Sequence, residues 1–437
     1  MQSLRSVLRI RLYANASYLI LNSAVGIVLG VGFWALAARF YDEKEIGAAA
    51  GLLASMTLMI LFAQAGLRIG IIRLLPDMRK DAVRLVNTCI MAAVGLALLF
   101  SLIFESSLSF WSPELAEVLR RPAVALSFPV LVAVFSALSL QNSVFVAYRE
   151  ARFVPATNAI VNVGKLGLVV PLVGLGAYGV FMASGVAATV ALIITLVWFL
   201  PLVQKGYIFK PVFDLEIMRR LWRYSFQNHI VEILGAVPAS LLPLLIIATL
   251  GTEANAYFYV SWLMTGGLLV SSMALANSLL AEGAHQEEML PVHTRRALIS
   301  ALILTVPAAT IMVIAAGPIL GIFGGGYSAG ATDVLRLLAV SAVPSTVNLL
   351  YFSFERVRKR MGYVLGAQVV AVGISLLLFY VLTPTMGVNG AALAWLCGQS
   401  VVAFAWAAPV LIRQVILRRT LAVPLPYELG VDHEYGG

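Results

Sequence analysis

Two basic side chains stand inside long apolar stretches of the chain, Arg68 and Lys165. An ionised group near the centre of a bilayer costs at least about 2.5–3.5 kcal/mol on insertion scales, so it faces a cavity or a partner. Asn158, Asn162 and Lys165 fall at i, i+4 and i+7, which places the three on one helical face. That face is a polar stripe on an otherwise Val/Leu-rich helix, and an ammonium on a flexible stem can follow a moving anion. Arg68 comes four residues after Gln64, so one shared face is expected. Its planar fork suits bidentate contact with a phosphate. Glu232 is the acid of the set, and Asn228, Glu232 and Gly235 share a face. It is a candidate to bind a coupling proton or Na⁺, or to pair with Arg68 or Lys165. Asn15, Tyr18 and Asn22 form a similar stripe near the N-terminus. Each candidate has a structural alternative. Lys165 could snorkel to the interface, Arg68 could anchor a helix end beside Arg73, and Glu232 could pair with a base to lower its burial penalty.

Gln141, Asn142, Tyr148 and Asn277 are weaker cavity candidates, equally suited to hydrogen bonds between helices. Trp34, Trp111 and Trp198 suit interfacial belts. There is no Walker A motif, HExxH or pair of catalytic carboxylates. The expectation is a non-enzyme without a cofactor, driven by a gradient or by downhill use of its product. His229, His285, His293 and His433 show no ligand spacing, and Cys89 and Cys397 sit far apart in apolar runs, so no metal site is expected.

Such groups need a frame that lipid accepts. Of the 437 residues, 61% are hydrophobic and only 12% charged, against roughly 25% charged in soluble domains. Mean hydropathy is +0.93. Twelve runs approach the ~20 apolar residues of a spanning helix, near 13–38, 46–72, 84–104, 123–147, 156–174, 179–203, 226–250, 255–281, 297–321, 333–353, 362–382 and 387–412. The first is too long for a signal-peptide core and reads as a retained helix. With both termini in the cytoplasm, 23 of the 30 basic residues fall on the cytoplasmic side. Arg39, Lys44, Arg120, Arg121 and Arg336 fall on the other. This is the positive-inside asymmetry, and it explains the net charge of +9 without nucleic acid.

The predicted class is therefore an all-α polytopic membrane protein of twelve transmembrane helices in two six-helix lobes. Residues 1–203 form the N-lobe and 226–412 the C-lobe. Residues 204–225 form a basic, amphipathic cytoplasmic linker lying along the interface, and 413–437 a cytoplasmic tail. The halves align at an offset of about 208–210. Tyr148-Arg149-Glu150-Ala151-Arg152-Phe153 pairs with Arg356-Val357-Arg358-Lys359-Arg360-Met361, and Gly179-Val-Phe-Met-Ala-Ser-Gly with Gly387-Val-Asn-Gly-Ala-Ala-Leu. Glu232 then falls opposite Asn22, and Asn228 opposite Tyr18. An even number of helices per half makes the repeat parallel, a transporter signature with substrate held between the halves.

Three segments resemble the multidrug/oligosaccharidyl-lipid/polysaccharide (MOP) exporter superfamily, and within it the Wzx-type polysaccharide flippases. They are Ala63-Gln-Ala-Gly-Leu-Arg-Ile-Gly-Ile-Ile-Arg-Leu-Leu-Pro, Gly317-Pro-Ile-Leu-Gly-Ile-Phe-Gly-Gly-Gly-Tyr-Ser with Asp333-Val-Leu-Arg-Leu-Leu-Ala, and Gly387-Val-Asn-Gly-Ala-Ala. The resemblance implies a V-shaped bundle in a bacterial cytoplasmic (inner) membrane. It implies a substrate of undecaprenyl-diphosphate-linked oligosaccharide repeat units, moved outward for surface polysaccharide export. Its expected partners are that lipid-linked substrate, membrane lipids, a polysaccharide polymerase and glycosyltransferases. Arg68, Lys165, Gln64, Asn158, Asn162, Asn22, Tyr18 and Asn228 are the expected substrate contacts, and Glu232 the coupling or salt-bridge residue. A MATE-type cation-coupled multidrug antiporter and a lipid II flippase are the alternatives. The first would want an acidic cavity, whereas the runs hold one acid and two bases. The second usually has fourteen helices. A non-transporting scaffold has no reason to retain such charges.

Overall fold

The apolar runs fold as helices, as their length and composition require once the backbone must satisfy its own hydrogen bonds in lipid. The computed structural model describes residues 25–78, 81–283 and 287–413. In the N-lobe lie α1 (Val25–Phe40), α2 (Glu43–Gln64), α3 (Ala82–Trp111), α4 (Pro122–Ala147), α5 (Phe153–Val169) and α6 (Ala177–Val203). In the C-lobe lie α7 (Leu215–Leu250), α8 (Thr252–Gly283), α9 (Leu290–Ile314), α10 (Thr332–Val357), α11 (Met361–Met386) and α12 (Val388–Leu411). Nine of these are long and apolar enough to span a membrane alone, and the shorter apolar stretches Val25–Phe40, Phe153–Val169 and Gly235–Leu250 complete twelve.

Local chemistry marks the repeat at three kinds of position. After α4 and α10 the chain turns through a left-handed non-glycine residue, Arg149 at φ 59° and Lys359 at φ 58°. In each turn the amide after that residue returns to a carbonyl five residues back, Glu150 to Phe145 and Arg360 to Glu355, both at 2.9 Å. This is a Schellman closure, with a cation where the helix dipole favours one. The second position is the cap of the last helix in each half, Gly176 at φ 59° and Gly387 at φ 58°. The third is a π-helical segment, Thr195–Phe199 in α6 and Val402–Ala407 in α12. Pro201 and Pro409 follow these segments. A proline ring collides with the carbonyl four residues back, and a widened turn relieves that. Arg149 thus matches Lys359 and Gly176 matches Gly387, a register two to three residues from the 208-residue pairing of these segments.

Helix α7 differs from expectation. It is one helix of 36 residues from Leu215, about 54 Å long at 1.5 Å per residue. Residues 215–225 are its first turns, and Ile217 and Leu221 are buried among N-lobe residues such as Leu67, Leu85 and Leu140. Its far end places Leu242 and Ile246 in a C-lobe core with Phe258 and Leu338. The preceding strap, 204–214, is pinned to α3. Tyr207 Oη donates to Asn87 Oδ1 at 2.9 Å, Asn87 Nδ2 to the Ile208 carbonyl at 3.2 Å, and Arg84 Nε meets Asp214 Oδ2 at 2.8 Å.

The two ends of the bundle are joined differently. At the end carrying Asp42, Glu43, Glu114 and Glu253, called the acidic end, both lobes share one core. Phe33, Trp34 and Ile46 of the N-lobe pack there with Ala256, Val260 and Tyr327 of the C-lobe. Gly47 makes the approach possible, since a Cβ on it would lie 1.7 Å from the Thr252 carbonyl oxygen. Glu114 Oε2 accepts the Thr252 amide at 2.8 Å, capping α8 from the opposite lobe. The glycine-rich segment after α9 forms two short helices, Ala316–Gly321 and Gly325–Gly330. Its Tyr327 packs edge-on against Tyr257. At the opposite, basic end the cores separate among the described residues: one holds the N-lobe with the start of α7, another only C-lobe residues such as Leu279, Tyr351 and Phe354.

Candidate functional site

Between the lobes, α2 stops at Gln64 and the chain passes through two left-handed residues, Ala65 at φ 43° and Gly66 at φ 80°. A short helix, Leu67–Leu74, then restarts the run. The break corrects the expectation that Gln64 and Arg68 share a face, because the i, i+4 relation needs unbroken helix. Gln64 is buried in the N-lobe, while Arg68 is turned out towards α7. Arg68 Nη1 lies 3.1 Å from Glu232 Oε1. The pair joins the lobes through side chains 44% and 32% exposed, so it contributes roughly 0–1 kcal/mol to stability. His229 Nδ1 lies 3.8 Å from Glu232 Oε2, one helical turn away on a buried imidazole. The spacing of His229 and Glu232 was visible in the sequence, but only as a helical i, i+3 pair rather than a ligand set.

Lys165 sits on the unbroken α5, which keeps Asn158, Asn162 and Lys165 on one half-buried face. Its Nζ lies 4.8 Å from the centroid of the Phe33 ring on α1. Lys165 forms no ion pair among the described residues. The structure therefore brings Arg68 and Glu232 together and holds Lys165 apart on an aromatic face. Tyr18 and Asn22 lie outside the described residues, as does the side chain of Asn228. Gln141 is fully buried in α4, and Asn277 lines a cavity inside the C-lobe.

The count of one intramembrane acid needs correcting. Helix α3 runs on to Trp111 and α10 to Val357, which places Glu105 and Glu355 within helices near their ends. Arg356 lies within α10 too and lines the C-lobe cavity. What distinguishes the bases is their partners: Arg68 neutralises Glu232, while Lys165 and Arg356 have no carboxylate within ion-pair distance among the described residues.

A helical membrane bundle of two repeated lobes, joined at one end and carrying an inter-lobe ion pair, is the architecture of a transporter. The family model described as "Polysaccharide biosynthesis protein" matches residues 12–278. The chain belongs to the polysaccharide biosynthesis protein family. No curated protein matches. Among solved structures, an inward-facing multidrug resistance MATE family transporter of the MOP superfamily superposes with a TM-score of 0.68 at 15% identity, covering 90% of this chain and 96% of that one. The lipid II flippase MurJ, in an inward closed conformation, gives 0.70 at 12% identity, covering 90% and 86%. An outward-facing MATE transporter gives 0.57 at 15% identity, covering 92% and 96%. The fold is that of the MOP exporters.

Proposed function

We propose that the protein is a flippase for undecaprenyl-diphosphate-linked oligosaccharide repeat units, working by alternating access in a bacterial cytoplasmic membrane with both termini and the basic end inside. The observation that carries this reading is the Arg68–Glu232 pair, made between lobes and left half open. A diphosphate entering from the basic end competes with one carboxylate for a guanidinium that can grip two oxygens at once. Release of Glu232 then loosens the lobes. Lys165, lifted from Phe33, adds a second positive charge and lowers the penalty of holding an anion in low dielectric. The shared core at the acidic end and the separate cores at the basic end support a state that loads from the basic side. Closer superposition on the inward-facing than on the outward-facing MATE transporter, with TM-scores of 0.68 and 0.57, supports the same reading. A polymerase and glycosyltransferases would act on the product and supply the substrate.

The test is deletion followed by analysis of lipid-linked glycans and of cationic dye retention. Repeat units should accumulate on the inner leaflet while surface polysaccharide is lost. Normal glycans with increased dye retention would instead assign the chain to cation-coupled drug antiport.

A further inference from the structure

Within the C-lobe, lined by α7, α8, α10, α11 and α12, lies a half-open cavity of about 390 Å³, within the roughly 300–1,000 Å³ of small-molecule sites. Its lining residues among those described all belong to the C-lobe. Its polar lining includes Ser345, Asn348, Arg356, Gln368 and Gln399. Asn348 is 1% exposed and donates through Nδ2 to Gln399 Oε1 at 3.0 Å. That bond orients both amides. Ser345 Oγ, Asn348 Oδ1 and Gln368 Oε1 are buried and have no hydrogen-bond partner among the described residues. All three belong to residues that line this one cavity, and each carries a desolvation penalty that a bound hydroxyl would offset. On another wall Trp262 and Trp395 meet edge to face, 4.9 Å between ring centroids.

Oriented amides and a hydroxyl to accept and donate hydrogen bonds, with indole surface beside them, match a ligand with ring hydroxyls over an apolar face. We infer that this cavity receives a sugar ring of the lipid-linked substrate. An acyl or isoprenoid chain would leave the oxygens unpaired, and the Arg356 guanidinium opposes a bound cation. Position agrees with the chemistry. Gly235 lines the cavity and lies three residues beyond Glu232 on α7, a rise of about 4.5 Å. A diphosphate at Arg68 therefore has its first sugar within one helical turn of the cavity. Gly235 also keeps that wall open, since a Cβ there would lie 3.3 Å from Gln368 Nε2.

The inference rests on the flippase reading, and one experiment separates the two. The full chain in nanodiscs is titrated with farnesyl diphosphate and with farnesyl diphosphate carrying glucose, galactose, N-acetylglucosamine or N-acetylgalactosamine, with and without Na⁺. Tryptophan fluorescence reports binding. At least one glycosylated probe should bind about tenfold more tightly than the bare diphosphate, the ratio expected of one good polar contact. Gln368→Leu and Gly235→Leu should each erase that preference and leave bare farnesyl diphosphate binding unchanged, which also shows that the variants fold. Asn348→Leu should do the same. A wild type without preference, a preference surviving in Gln368→Leu and Gly235→Leu, or a signal that follows Na⁺ rather than sugar would overturn the assignment. Failure of every probe, bare diphosphate included, would remove the flippase reading and this inference with it.

Discussion

Asn255 Nδ2 donates to the Gly47 carbonyl oxygen at 2.8 Å, and the two residues are 208 positions apart, within two to three residues of the offset that relates the halves of the chain. Positions this near to equivalence can touch only close to the axis that relates the halves. Helices α2 and α8 therefore cross on the pseudo-symmetry axis, at the acidic end. A transporter that rocks its lobes must part this crossing to open that end.

Gly47 is consequently the residue least able to gain a side chain. A Cβ 1.7 Å from the Thr252 carbonyl oxygen forces the helices apart, and overpacking of this kind costs about 1–3 kcal/mol. Gly47→Ala should lower the melting temperature of the purified protein. Gly47→Leu should hold the acidic end open. A cysteine at Thr252, buried in the parent, should then react with an impermeant maleimide several times faster. Unchanged labelling would mean that the α2–α8 crossing does not seal that end.

The Arg68–Glu232 pair permits a test of role by exchange. Arg68→Ala and Glu232→Ala should each change stability by no more than about 1 kcal/mol, because the pair is half open to its surroundings. If Arg68 serves only to bind Glu232, the exchanged double variant Arg68→Glu with Glu232→Arg should restore export. The diphosphate reading expects otherwise: export stays lost in Arg68→Ala and in the exchanged protein, while protein level and melting temperature remain close to the parent. Export assayed as surface polysaccharide, beside a melting curve, separates the two outcomes.

Much of the fold was legible because apolar length and charge asymmetry act locally: each helix had to satisfy its own backbone in lipid. The sequence left less trace where two elements meet. Nothing between Gln64 and Arg68 except Gly66 signals the two left-handed residues that break α2, and the break parts the two side chains, leaving Gln64 buried and Arg68 on Glu232. The start of α7 was hidden because a basic amphipathic segment reads alike as an interfacial helix and as the exposed turns of a longer one. Only burial of Ile217 and Leu221 on the N-lobe decides. The repeat register slipped for a related reason. Gly179 and Gly390 are alike in packing against a backbone carbonyl, of Leu172 and Leu382, but spacing alone could not tell which of several glycines held the cap. Charge does not mark the C-lobe cavity in the sequence, because its amides Asn348, Gln368 and Gln399 carry none.

Lys165 and Phe33 offer a second separation of roles. The cation over the ring is worth roughly 0.5–2 kcal/mol. If Lys165 matters through its charge towards substrate, Phe33→Leu should retain export, since only the resting contact is lost. Lys165→Gln should abolish export, with normal membrane levels. Should both variants fail alike, with equal loss of melting temperature, the lysine would be a packing element of α1 and α5. Surface polysaccharide and thermal melting of the same preparations decide it.

Asp214 sets the pH behaviour of the strap between the lobes. Its Oδ1 accepts the Ile217 amide at 3.1 Å and the Glu216 amide at 2.9 Å, and Arg84 stands beside Oδ2. The hydrogen bond from the Ile217 amide, foremost, then that from Glu216 and the Arg84 charge, hold the carboxyl below its ordinary range, partly opposed by desolvation. A depressed folded-state pKa gives stabilisation that is complete above the unfolded value, about 3.9, and is lost as pH falls through the folded value. Protection of strap amides 205–214 from hydrogen exchange, corrected for intrinsic rates, should thus be flat from pH 5 to 8. Asp214→Ala should lower it throughout that range, by removing both the helix cap and the partner of Arg84. Arg84→Ala should lower it less, because the amide bonds to Asp214 remain. A protection step near neutral pH in the parent would show that another group governs the strap.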